Sequence, residues 1–230
     1  MKALLLAAGF GSRLGELTST TPKPMIRIKN QPILGFCLDQ LANAGVSEVI
    51  VNTHYLANHV EDYLRSYESH LKITPSYEEN LLGTAGTVKK HFDYLATGDF
   101  VVMHADNYFV DPLSNFLQAH KLRNVGIYGT LGTFETQNPR DCGVLILNRD
   151  GTISEFHEKV ENPPSKIANA AIYVFTPEIK EMLFGLSLED SDISKHLIPR
   201  IMHGLYTDHF DGLFVDIGTP EGLGIANSYK

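Results

Sequence analysis

A chain of 230 residues buries roughly 70–75% of the surface it exposes when unfolded, enough for one large core without disulfide or metal staples. Hydrophobic residues make up 43% and charged residues 20%, and 27 acidic against 19 basic side chains leave a formal charge of −8. That balance argues against a nucleic-acid partner, which needs a basic face, but leaves room for a small anionic ligand held by a few local cations and backbone N–H groups. No apolar run of about 18 residues occurs, so no membrane partner is expected.

Residues 1–9 have the look of a leader peptide. Only one basic residue, Lys2, precedes the apolar run, however, and the run ends in Gly9-Phe10-Gly11-Ser12-Arg13 rather than a small-residue cleavage site. The run reads as a buried first strand over 2–8. Cys37 and Cys142 are too few for a disulfide framework or a zinc site, and reduced thiols in the cytoplasm are the expected state.

In chain order, 32–44 carries Ile33, Phe36, Cys37 and Leu41 at helical spacing, with Gly45 placed to cap it. A short β-branched run over 48–52 predicts a second strand. A helix over 60–67, a strand over 71–76, a helix over 84–95 and a strand over 100–103 follow. Alternation of this kind implies a mostly parallel sheet with helices on both faces. Beyond it, strands are predicted over 125–134, 143–148, 153–157 and 168–175, separated by Gly, Pro, Asn and Asp turns. Helices are predicted near 177–184 and 193–203, then a strand over 213–217 and a helix after Pro220. The whole reads as one domain over 1–230 with a strand-rich insertion, in a first half mainly over 1–110 and a second mainly over 111–230.

The segment Gly9-Phe10-Gly11-Ser12-Arg13-Leu14 follows a buried strand, where a doubly wound sheet places its ligand crevice. Glycines let backbone N–H groups approach phosphate oxygens, and an arginine fork holds them. A dinucleotide fingerprint needs glycine at position 14 and an acid after the second strand. The chain has Leu14 and Asn52-Thr53-His54, and no Gly-Lys-Ser/Thr of a Walker loop follows. Lys23 lies between Pro22 and Pro24; Pro24 should keep it out of helical geometry, on a stiff loop suited to clamping phosphate.

Leu6-Ala7-Ala8-Gly9-Phe10-Gly11-Ser12-Arg13-Leu14 followed by Pro22-Lys23-Pro24-Met25 closely resembles the signature of the sugar-1-phosphate nucleotidyltransferases. Leu82-Gly83-Thr84-Ala85-Gly86 is similar to that family's base-recognition segment, and Cys142-Gly143-Val144 to its sugar-facing glycine turn. Glu158-Lys159 resembles its Glu-Lys pair, and Asn169-Ala170-Ala171 its Asn-Ala-Gly strand. Asp106 and Asp216 match its two metal-binding aspartates. The resemblance implies an α/β, Rossmann-like (GT-A type) mixed, mostly parallel sheet flanked by helices. It implies an NTP and a sugar 1-phosphate as partners, Mg²⁺ as cofactor, and in-line attack on the α-phosphorus.

On that resemblance Arg13, Lys23 and Asp106 carry catalysis, and Asp106 and Asp216 hold the metal. The nucleotide falls to Ala7, Ala8, Gly9, Gly11, Ser12, Arg13, Lys23, Glu79, Gly83, Thr84 and Ala85, and the sugar phosphate to Asn107, Gly143, Glu158, Lys159 and Asn169. The two aspartates should converge only if their strands share one sheet. Two departures from the family bear on the sugar: Val160 stands where proline usually follows the lysine, and Ala171 where glycine is usual. The variants look most like guanylyltransferases of mannose or manno-heptose phosphates, with uridylyl- and thymidylyltransferases as alternatives. A GT-A glycosyltransferase would want Asp-x-Asp where the chain has Asp106-Asn107-Tyr108. A non-catalytic nucleotide-sugar-binding protein has no need of all four charged residues. A homodimer is one arrangement that a strand-rich insertion allows.

Overall fold

A computed structural model describes residues 1–123, 127–187 and 189–229. The first strand, β1 (Lys2–Leu6), is the predicted apolar run. Two-residue strands β2 (Arg27–Ile28) and β3 (Gln31–Pro32) pair as a small ribbon before α1 (Ile33–Asn43). Gly45 beyond α1 has φ +80°, the left-handed turn that glycine supplies without a Cβ penalty. Strand β4 (Glu48–Thr53), α2 (Ala57–Ser66), β5 (Lys72–Tyr77), α3 (Thr84–Leu95) and β6 (Phe100–His104) continue the predicted alternation. They are followed by β7 (Asn107–Phe109) and α4 (Leu113–Leu122). Then come the strands β8 (Gly129–Glu135), β9 (Gly143–Leu147), β10 (Ile153–Glu158) and β11 (Ile167–Phe175). The last elements are α5 (Lys180–Phe184), α6 (Ile198–Ile201), β12 (Leu205–His209), β13 (Phe214–Asp216) and α7 (Pro220–Ser228).

The chain divides into two compact units. One unit takes Met1–Leu81, Met103–Ser114 and Gly212–Lys230; the other takes Leu82–Val102 and Asn115–Asp211. In the first, β1, β4 and β5 run parallel in that order, Leu4 opposite Ile50 and Val51 opposite Pro75. Ala3, Leu4, Leu5 and Val51 are fully buried, and covering a leucine contributes roughly 1.5–3 kcal/mol. The antiparallel pair β7–β13 sets Asp216 opposite Asn107. In the second unit, β9 pairs with β10 and β11, and β8 with β11 and β12. Its core is aromatic: Tyr173 stacks on Phe175 with ring centres 5.1 Å apart, and Phe116 on Phe210 at 5.6 Å.

Several expectations change. Helix α4 and strand β12 were not predicted. The buried positions of α4, Leu113, Phe116, Leu117 and His120, keep helical spacing, but a histidine in the apolar stripe hides the period. The predicted strand over 125–134 begins at Gly129, and Val125 lies outside the described residues. The helix expected over 193–203 is three turns of different pitch: a π turn (Ile193–Leu197), α6, and a 3₁₀ turn (Met202–Gly204). Pro199 interrupts it, lacking the N–H that a regular ladder uses.

Candidate active site

In the first unit the glycine loop leaves β1 and turns at Gly11 (φ +68°) into a 3₁₀ helix, Ser12–Thr18. A Cβ on Gly11 would lie 2.9 Å from Thr18 Cγ2 and 3.0 Å from Lys23 Cβ, so the glycine is what lets the loop lie against Lys23. Ser12 and Arg13 are exposed on the first turn, Ala7 and Ala8 are buried, and Gly9 has open space where a side chain would stand. Phe10 packs edge-on against His54 at 5.3 Å.

Lys23 corrects one expectation. It opens a 3₁₀ turn, Lys23–Met25, instead of standing in extended backbone. Pro24 is tolerated there because a first-turn N–H has no intrahelical partner to lose. The turn buries Lys23 to 7% exposure and aims Nζ at two carboxylates, Asp106 Oδ2 at 2.5 Å and Asp216 Oδ1 at 3.2 Å. Arg13 Nη2 lies 2.9 Å from Asp216 Oδ2. Burial lowers the Lys23 pKa, and the two carboxylates outweigh it, leaving the ammonium above its ordinary value. Burial likewise pushes Asp106 up, and Lys23, with help from His104 and Arg13, more than reverses that, leaving the carboxyl below the usual range.

The route by which the aspartates meet is a second correction. Asp106 sits in the turn between β6 and β7, and Asp216 ends β13, so they meet at the β7–β13 ribbon, while β6, the predicted strand before Asp106, and β13 do not share one sheet. The Asp106 carbonyl accepts from Ile217 N at 2.9 Å, which pins the turn to the ribbon. Gly218, absent from the sequence expectations, donates its N–H to Asp216 Oδ1 at 2.6 Å. Any Cβ there would press on Lys23 Nζ and come within 2.8 Å of both Arg13 Nη2 and Asp216 Oδ1.

At the ends of the neighbouring strands, Asn52 accepts from Ala7 N at 2.7 Å and donates to Glu78 Oε1 at 3.1 Å. Glu78 is 3% exposed, whereas Glu79, the predicted contact, is exposed. The usable signal was position: Asn52 and Glu78 terminate adjacent parallel strands, the edge where such sheets bind ligands. Asn107 is buried, and its carbonyl faces Cys37 Sγ at 3.9 Å.

In the second unit Gly143 stands opposite Glu158 across β9–β10. A Cβ on Gly143 would lie 2.5 Å from Glu158 Oε2 and 2.6 Å from Phe156 Cζ. Burial raises the Glu158 pKa, with Lys159 opposing; Lys159 Nζ is 3.9 Å from Glu158 Oε1. Asn169 donates to the Tyr173 hydroxyl at 2.8 Å and to Ser194 Oγ at 3.2 Å, and accepts from Ala171 N at 2.9 Å. Ala171 has φ +52° at the bulge between β11 and β8, which gives the family's glycine at this position a physical reason. Gly83, Thr84 and Ala85 form the start of α3, where the Ala85 N–H is taken by the Ser191 carbonyl at 2.8 Å.

Among the described residues no group of three or more His, Cys, Asp and Glu side chains could hold a metal. His157 is paired instead with Glu155, at 2.8 Å. Asp106 and Asp216 nevertheless present oxygens around one point, the position of Lys23 Nζ. Two carboxylates completed by phosphate oxygens and water are the ligand set by which Mg²⁺ is commonly held, and these two side chains would suit that ion once Lys23 Nζ swings off them toward phosphate. No helix among the described residues is long and apolar enough to cross a membrane.

A glycine loop after the first parallel strand, with two cations and two carboxylates gathered beside it, defines an α/β protein built to handle phosphate. The chain belongs to the nucleotidyl transferase family, whose sequence profile matches residues 2–229. It is 34% identical over 228 residues to mannose-1-phosphate guanylyltransferase catalytic subunit beta of Danio rerio, covering 96% of this chain and 62% of that protein. The Drosophila pseudoobscura pseudoobscura protein of the same name is 33% identical over 226 residues, 96% of this chain and 60% of that one. The chain thus spans about three fifths of the length of these relatives. In structure it is similar to a Bacillus anthracis protein described as a glucose-1-phosphate thymidylyltransferase, with TM-score 0.87, 22% identity and coverage of 99% and 94%. HddC of Yersinia pseudotuberculosis gives TM-score 0.81 at 23% identity, covering 98% of this chain and 97% of that one. These likenesses establish the fold, a mixed, mostly parallel sheet flanked by helices.

Proposed function

We propose that the chain joins GTP to the 1-phosphate of a mannose-type sugar, giving a GDP-sugar and pyrophosphate. The observation that carries the reading is the convergence of Arg13, Lys23, Asp106 and Asp216 beside the glycine loop. A phosphomonoester is largely dianionic at neutral pH, so its oxygen needs no general base to attack the α-phosphorus. As the new P–O bond forms, the bond from the α-phosphorus to the bridging oxygen breaks, and pyrophosphate leaves with that electron pair. The protein's task is alignment and charge stabilisation. Arg13, exposed and paired with Asp216, receives the triphosphate. Lys23, already charged and directed by two carboxylates, stabilises the departing pyrophosphate. Mg²⁺ held by Asp106 and Asp216 supplies charge neutralisation to the phosphates when bound.

Guanine offers an N1–H and an amino group to an acceptor, and the Glu78 carboxylate, ordered by Asn52, is suited to read them. The names of the relatives support the guanylyl and mannose assignments. In the second unit, Glu158, Lys159, Asn169 and the Gly143 backbone are assigned to the sugar phosphate. A homodimer and a cytoplasmic setting belong to the same reading.

The test is pyrophosphate release with Mg²⁺, crossing GTP, UTP, dTTP, CTP and ATP against mannose-, glucose-, N-acetylglucosamine- and manno-heptose-1-phosphates. The reading expects release with GTP and a mannose-type sugar, lost in Asp106→Ala. Release with UTP or dTTP alone assigns the chain to the uridylyl or thymidylyl branch. No release from folded protein that still binds a nucleotide-sugar points to a non-catalytic sensor.

A further inference from the structure

Helix α3 begins at Thr84 behind Gly83, which has no side chain to cap it. The first N–H groups of a helix need partners from elsewhere, and here they come from more than a hundred residues away. The Ser191 carbonyl accepts from Ala85 N at 2.8 Å and from Gly86 N at 3.4 Å. Thr84 Oγ1 reciprocates by accepting from Ile193 N at 2.7 Å. Gly83 has φ +75°, and a Cβ on it would lie 2.5 Å from the Ser191 carbonyl oxygen and 2.7 Å from Ser191 Cβ. The glycine at 83 is therefore required for segment 191–193 to dock.

One residue past that contact, the same segment reaches the other group of predicted contacts. Ser194 Oγ accepts from Asn169 Nδ2, whose second interaction is the buried Tyr173 hydroxyl. Asp192 accepts from Lys195 N at 2.9 Å and starts the π turn, and Ile193 and Leu197 anchor that turn in the core. Single π turns inside helices recur at functional positions. A segment of four residues, fixed by two buried aliphatic side chains, thus holds the start of α3 at one end and Asn169 at the other.

We infer that residues 191–194 form a strap that couples the base-recognition segment to the sugar pocket, with Thr84 and Ser194 as positioning residues at its two ends. The inference rests on the substrate assignments proposed above. It makes the two substrate sites share one mechanical element within this unit, so loosening either end disturbs both.

Amide hydrogen exchange and steady-state kinetics on Ser194→Ala, Ser194→Thr and Thr84→Val provide the test. Ser194→Ala should speed exchange at Ala85 and Gly86 about five-fold, and raise KM for both GTP and the sugar phosphate about as much with kcat little changed. That is the size of one lost hydrogen bond. Ser194→Thr, which keeps the hydroxyl, should restore all three values, and the double variant Thr84→Val/Ser194→Ala should be no worse than the weaker single one. Unchanged exchange at Ala85 and Gly86 in Ser194→Ala overturns the strap, as does a rise in the sugar KM alone. Exchange reads the coupling whether or not the protein turns substrate over, so failure of the catalytic assignment and failure of the strap give different results.

Discussion

Replacing Lys23 by methionine removes the cation on which the carboxylate pair is built and keeps most of the volume. Lys23 Nζ lies 2.5 Å from Asp106 and 3.2 Å from Asp216, and the lysine is 7% exposed. Breaking a buried pair by deleting one partner costs about 3–5 kcal/mol, because the other charge is left without compensation. Here the Asp106 side chain is 25% exposed, and Asp216 is 41% exposed and keeps Arg13, so the lower end, about 3 kcal/mol, applies. For a domain of this size that lowers Tm by roughly 6–12 °C.

The pH dependence of that loss has a definite sign. Asp106 is held below its ordinary value, burial being outweighed by Lys23. Its contribution is therefore present above the unfolded carboxyl pKa and disappears as pH falls through the folded one. Lys23 is held above 10.5, the carboxylates outweighing burial, so its contribution is complete below that pH and lost only as pH rises through its folded value. Without Lys23, burial is left to hold the Asp106 carboxyl above its ordinary value, so the gap in Tm between wild type and Lys23→Met should be widest from neutral pH up to about pH 10 and narrow as pH falls through the carboxylate range. Thermal melts in EDTA measure it. A gap under about 2 °C at pH 7, or one that persists unchanged at pH 3, refutes the reasoning.

Gly218→Ala should act on catalysis more than on stability: its Cβ would press on the ends of Lys23 and Arg13 and on Asp216 Oδ1, and small shifts of these side-chain ends relieve the contact and keep the ion pairs while misaligning both cations. kcat/KM should drop about 100-fold or more, consistent with losing an oriented charge contact, with Tm within a few degrees of wild type. Gly143→Ala places a Cβ 2.5 Å from Glu158 Oε2 and 2.6 Å from the Phe156 ring. The overpacking costs about 1–3 kcal/mol, and the KM for sugar phosphate should rise while that for nucleotide holds, as initial-rate kinetics would measure. Ala171→Gly should stabilise: removing the Cβ strained by the left-handed backbone recovers about 1–2 kcal/mol, offset by about 0.5–1 kcal/mol of glycine flexibility. The net gain should raise Tm by roughly 1–4 °C in a thermal melt.

The parallel half of the fold was legible because β1 and β4 are continuous apolar runs closed by turn residues, a pattern that buried strands force on a sequence. The glycine loop, Lys23, Asp106 and Asp216 were legible through their motif. How they meet was not, since the β7–β13 ribbon comprises three residues a side, too short for any period to register. The packing roles of Gly218 and Gly83 were hidden for a common reason. A glycine that makes room for a distant side chain or carbonyl looks, in sequence, like any turn glycine. Glu78 and Glu79 differ only in which way the chain turns after β5, and composition carries no trace of that. The strap at 191–194 is held in part by backbone groups, the Ser191 carbonyl and the Ile193 N–H, which the sequence does not distinguish at all.

The central claim is that a sugar-phosphate oxygen attacks the α-phosphorus of the nucleotide. Incubating the protein with Mg²⁺, GTP and mannose 1-phosphate carrying ¹⁸O in its phosphate, and following the products by ³¹P NMR, tests it directly. The account predicts a GDP-sugar whose sugar-side phosphate retains all the label, one ¹⁸O bridging to the former α-phosphorus, and pyrophosphate free of label. Label in the pyrophosphate, or pyrophosphate released without any sugar nucleotide, would contradict it.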